Sequence, residues 1–160
     1  MDKSQYGRRD RLIQEKRHDT YREYEKLPEP SVCTECGSVF ADGRWSWKDV
    51  PSAANKTVCP SCLRIKDGYP AGYVSLRGPF FNERKEEIMN LMHNEEEAEK
   101  GEHPMERIMA IEEQDDHTLI TTTGVHIARR IGEAVHRAYQ GDFSFQYVDG
   151  EKSIRVSWER

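Results

Sequence analysis

Long apolar runs are missing from this 160-residue chain. A membrane-spanning helix needs about 18 or more consecutive apolar residues, and no stretch comes near that length, so no span is expected. Apolar residues make up 36% of the chain and charged ones 33%. That supply is thin for one large core and fits a modest core helped by a staple. The opening segment, Met1 to Asp10, is charged and polar; it lacks an apolar signal stretch, which points to a reducing, cytoplasmic setting.

Signatures of catalysis are missing as well. There is no Gly-x-Ser-x-Gly, no phosphate-loop lysine motif and no Gly-x-Gly-x-x-Gly. The six histidines (His18, His93, His103, His117, His126 and His136) share no metal-ligand spacing. His126 and His136 are ten apart on one expected helix, and so point about 80° away from each other. The expectation is a protein without catalytic residues.

Cysteine is scarce, and all of it is in one place. The only four are paired as Cys33-Thr34-Glu35-Cys36-Gly37 and Cys59-Pro60-Ser61-Cys62, with 22 residues between the inner two. Each Cys-x-x-Cys lets two thiolates close on one ion, and two pairs supply the closed tetrahedral set of a structural Zn²⁺ site. A redox pair is more often a single Cys-x-x-Cys opening a helix after a strand. Iron is the competing ion for an isolated four-sulfur site. With all four thiols committed to metal, none is left as a nucleophile.

The net charge of −5 hides a division. Residues 1–80 carry 14 Lys+Arg against 11 Asp+Glu, residues 81–116 carry 4 against 13, and residues 117–160 carry 6 against 5. A surface for a polyanion is therefore expected in the N-terminal half and on the last helix. Residues 1–30 read as a polar arm, Arg8, Arg9 and Arg11 among its cations, closed by an extended Leu27-Pro28-Glu29-Pro30 linker. Residues 31–71 read as a zinc ribbon. Ser38–Phe40 and Arg44–Trp47 are its short strands, and Ala41-Asp42-Gly43 is its turn. Trp47 beside Arg44, Lys48 and Lys56 is a candidate base-stacking platform, and Arg64 and Arg77 extend the basic footprint.

Residues 72–160 read as a second domain. Tyr73–Arg77 alternates as a strand, and Asn82 caps a helix over 83–100 with Ile88, Met89, Leu91 and Met92 inward and an acidic outer face. Ile108–Ile111 and Thr118–Thr121 form a hairpin, Thr123 caps a helix over Val125–Tyr139, and two alternating strands follow at 143–147 and 153–158. The fold class is thus α+β: an N-terminal Cys₄ zinc ribbon, then a ferredoxin-like β-α-β-β-α-β domain with one further strand. Arg129 and Arg130 lie on the last helix behind Thr121-Thr122-Thr123-Gly124, a candidate phosphate-binding N-terminus.

Two segments, Cys59-Pro-Ser-Cys-Leu-Arg-Ile-Lys-Asp-Gly-Tyr69 with Gly72-Tyr-Val-Ser-Leu-Arg-Gly78, and Ile120-Thr-Thr-Thr-Gly-Val-His-Ile-Ala-Arg-Arg130, carry a resemblance. They are similar to parts of the archaeal and eukaryotic adaptor family that binds the large ribosomal subunit and, in eukaryotes, escorts it from the nucleus. Short, functionally uncharacterised bacterial proteins resemble the chain more closely still. The resemblance covers about residues 31–158. The chain lacks the adaptor's additional N-terminal cysteines and its export tail, so the implied function is association with ribosomal RNA or a ribosomal subunit, not nuclear export. An assembly, maintenance or stasis factor that also touches a basic ribosomal protein is the expectation. The alternative is a protein–protein adaptor working through the sheet or the acidic helix 83–100.

Overall fold

The computed structural model describes residues 27–148, 150 and 152–160. Arg8, Arg9, Arg11 and the rest of the expected arm up to residue 26 lie outside them. The described chain is α+β, with two mixed sheets and four helices.

The first sheet is built from four three-residue strands: β1 (Ser31–Cys33), β2 (Val39–Ala41), β3 (Arg44–Ser46) and β4 (Asn55–Thr57), in the order β3-β2-β1-β4. β2 and β3 are the expected hairpin, with Ala41 opposite Arg44. Its two turn residues, Asp42 and Gly43, both take positive φ (55° and 76°). That is the type I′ geometry whose twist suits paired strands and which Asp-Gly adopts readily. β4 returns parallel to β1 and delivers the chain to α1 (Pro60–Asp67).

The second sheet holds β5 (Gly72–Arg77), β6 (Ile108–Glu113), β7 (Thr118–Thr122), β8 (Asp142–Val148) and β9 (Ser153–Glu159), in the order β6-β7-β5-β9-β8. β9, the further strand of the sequence reading, runs parallel to β5 between it and β8, so the strand that follows the last helix is pushed to the edge. Between β5 and β6 lie α2 (Pro79–Glu83) and α3 (Lys85–Glu102). The expected single helix from 83 is thus two. Pro79 starts the first, Asn82 falls inside it, and Arg84 is the joint at which the second begins.

α4 (Val125–Tyr139) has the expected bounds. Its Ile127, Ala128, Ile131 and Val135 meet Val74, Leu76, Ile120, Ile154, Val156 and Trp158 from the sheet and Ile88 and Met92 from α3 in one buried cluster. Both long helices therefore cover the same face of the sheet. The alternation of β5 sends Val74 and Leu76 into that core and leaves Tyr73, Ser75 and Arg77 on the opposite, partly exposed face.

Candidate functional site

The four sulfurs converge. Cys33 ends β1 and Cys36 lies in the turn after it, where Gly37 takes φ 81°. Cys59 and Cys62 come from the first turn of α1, with Cys59 as N-cap and Pro60 at the first helical position. The second pair thus opens a helix after a strand. All four Sγ atoms lie within 4.8 Å of one another, and Cys36 and Cys59 are 3.8 Å apart. Sulfurs held about 2.3 Å from a central zinc would sit about 3.8 Å from one another, whereas a disulfide needs about 2.05 Å. The four side chains are free thiols, placed to hold one metal ion with no open position.

Donors surround the cluster. The backbone N–H of Cys59 donates to Cys33 Sγ at 3.2 Å, and that of Cys62 to Cys59 Sγ at 3.3 Å. Ser38 Oγ lies 3.1 Å from Cys36 Sγ. The Cys59 thiol, Ser38 and Arg107 hold Cys36 down to about 3 against its own burial. The same bond to Cys36, together with burial, pushes Cys59 up, and burial pushes Cys62 up.

Arg107, just before β6, was not among the sequence candidates. It is 7% exposed, yet its guanidinium donates to Cys36 Sγ at 3.0 Å, Cys62 Sγ at 3.3 Å and Cys59 Sγ at 3.5 Å. Burial works against its charge, but the bonds to the sulfurs outweigh that and raise its pKa. No local periodicity announces this contact, since Arg107 and Cys36 are 71 positions apart. Two other bonds cross the same seam: Ser61 Oγ to Met105 O at 2.5 Å, and Trp47 Nε1 to Lys100 O at 2.7 Å.

Those contacts revise the expected basic footprint. Trp47 lies past the end of β3, is 39% exposed and is tied to the end of α3, which restrains it from acting as a free stacking platform. Trp45 packs on Phe40 with ring centroids 5.3 Å apart. Lys48 faces Asp42 at 3.6 Å and Arg77 faces Asp116 at 3.9 Å. Arg64 donates to Tyr69 O at 3.1 Å. Arg44 and Lys56 are exposed.

On α4, Arg129 pairs with Glu133 at 2.7 Å and lies over the Phe145 ring. Arg130 is clamped between Glu95, at 2.6 Å, and Glu99. The acidic run of α3 is therefore partly consumed inside the molecule, and Glu96 also accepts the N–H of Ile108 at 2.6 Å.

The α4 N-terminus does not offer the expected phosphate site. The cap is Gly124, not Thr123. Thr123 Oγ1 is turned to Met105 O, at 2.6 Å, and to the Arg107 N–H. The anion position is filled by Glu106, whose carboxylate accepts the N–H of Ile127 at 3.2 Å and sits where a Cβ on residue 124 would be. Burial raises the Glu106 pKa against that bond. Glu106 and His126 line one wall of a groove of about 1070 Å³ between the first sheet and the helices, with Phe40 and Trp45 on the other wall.

The face of the second sheet that no described helix covers forms a smaller hollow of about 570 Å³. Tyr73, Ser75 and Arg77 of β5, Arg155 and Ser157 of β9 and Gln146 of β8 line it. Arg155 lies over the Tyr73 ring at 4.8 Å. No described helix is long and apolar enough to cross a membrane. Compared with models of known protein families, with curated proteins and with solved structures, the chain matches none.

Proposed function

We propose that the chain is a non-enzymatic, zinc-fastened binding protein that associates with ribosomal RNA or a ribosomal subunit in the cytoplasm. The observation that carries this reading is the sheet face that no described helix covers. Its central strands β5 and β9 present an aromatic ring, two arginines and small hydroxyl side chains, and the edge strand β8 adds the amide of Gln146. Single-stranded RNA is read on such surfaces, where splayed bases stack on aromatic rings or guanidinium planes and hydrogen-bond along their edges. The Tyr73–Arg77 strand is also the segment that carries the resemblance to the ribosomal adaptor family. Arg44 and Lys56 add exposed cations for phosphates, in place of the paired Arg129 and Arg130.

Zinc suits the closed set of four thiolates, for which a structural ion needs no free coordination position. The metal part, 31–71, is then a ribbon, and 72–160 is a ferredoxin-like domain with β9 inserted beside its first strand. An adaptor working through the acidic helix loses Glu95 and Glu99 to Arg130. An adaptor working through the sheet uses the same face as RNA and is separated from it by experiment.

That experiment is sedimentation with purified ribosomal subunits over a salt series. Binding that weakens steeply with salt and with Arg155→Ser supports the reading. An absence of association at low salt would sink it, and association insensitive to salt and to ribonuclease would favour the adaptor.

A further inference from the structure

We propose that Arg107 is the counter-ion of the metal–thiolate centre, and that through it metal loading fastens the first sheet to the second. The proposal rests on the metal reading, not on RNA association.

Four thiolates around a divalent ion carry a net charge of −2, which is costly beside a protein core unless it is hydrogen-bonded and balanced. Arg107 is placed for both tasks. A guanidinium has only donors, and here they reach three of the four sulfurs, while its Nε is held by Pro104 O at 2.6 Å. Among the described residues it has no carboxylate partner. The thiolate centre is thus its counter-charge.

The rest of the residue belongs to the other sheet. Its N–H donates to Thr123 Oγ1 at 2.9 Å, and its C=O accepts the Thr123 N–H at 2.8 Å. This pins its backbone to the loop that starts α4. The guanidinium also lies 5.9 Å from the centre of the Trp47 ring, whose indole bonds the end of α3. A metal ion that fixes the sulfurs therefore fixes the seam.

Removing an outer partner of a metal ligand typically costs about 10- to 100-fold in affinity. The test compares the wild-type chain with Arg107→Met and Arg107→Lys, using zinc affinity by competition with a chromophoric chelator and melting with and without zinc. Arg107→Met is expected to bind zinc about 10- to 100-fold more weakly and to lose much of the melting shift that zinc confers. Arg107→Lys, which keeps the charge without the fork, should fall between. Trp47 fluorescence should respond to zinc in the wild type and respond less in Arg107→Met.

A merely structural arginine would lower the melting temperature equally with and without zinc and leave affinity unchanged. That result overturns the proposal. A wild-type chain that takes up no zinc overturns the metal reading, and this proposal with it.

Discussion

Loss of a metal from the four sulfurs is expected to unfold the first sheet and leave the second folded. The first sheet owns little apolar packing: Val39 and Phe40 are its only buried side chains apart from cysteines and serines. Two such side chains contribute about 3–6 kcal/mol. A structural zinc site is worth about 10–16 kcal/mol near neutral pH, more than the whole of that packing. Replacing Cys59, fully buried among the other sulfurs, by Ser should therefore unfold residues 31–57, and so should a strong chelator.

The second sheet should survive, because its cluster of thirteen buried residues contains none of the ligands. Amide hydrogen exchange read by mass spectrometry tests both halves of the statement. Protection should collapse over β1–β4 and persist over β5, β7, α4 and β9. Of the three tryptophans, Trp45 should become exposed and the already part-exposed Trp47 more so, while Trp158, fully buried and bonded to Gln140 O, stays protected. Unchanged protection of the first sheet after metal loss would refute the reasoning. Loss of protection across the whole chain would refute the independence of the second core.

Two further outcomes follow from the packing. The folded-state pKa of Glu106 is raised above its ordinary 4.5 by burial, so folding favours the protonated acid; the contribution is complete below 4.5 and is lost as pH rises through the folded value. Urea unfolding of Glu106→Gln against wild type should show a relative gain for the variant as pH rises above 4.5, and a constant difference would contradict this. At Gly132, an added Cβ would lie 2.5 Å from Val156 and 2.6 Å from Phe143. Gly132→Val should force α4 off the sheet and cost about 1–3 kcal/mol by overpacking, seen as a lower urea midpoint; an unchanged midpoint would show that the helix yields freely.

The parts legible in the sequence were those with a local period. α4 repeats its apolar residues at helical spacing, the strands around 73, 120, 145 and 156 alternate, and two Cys-x-x-Cys pairs announce a shared ligand set. What sequence reading missed is long-range or short-lived along the chain. β1 and β4 are three residues each, too brief for alternation to register. The α2–α3 joint at Arg84 hides in a continuous polar stretch. Arg130 with Glu95 and Glu99, and Arg107 with the sulfurs, are pairs made only by the tertiary fold, 31 to 71 positions apart. A run of charges therefore looked like a free surface where it is partly an internal lattice. The helix start behind Thr121–Gly124 looked open because the glutamate that fills it sits on another loop.

Ultraviolet crosslinking of the zinc-loaded protein to ribosomal RNA, with the attached residue identified by mass spectrometry, tests the proposed RNA surface most directly. Crosslinks are expected on the sheet face that carries Tyr73 and Arg155, with Tyr73 of β5 foremost, and are expected to be lost in Arg155→Ser. Crosslinks no stronger than those of an unrelated acidic protein, or crosslinks that avoid this face entirely, would contradict the proposed surface.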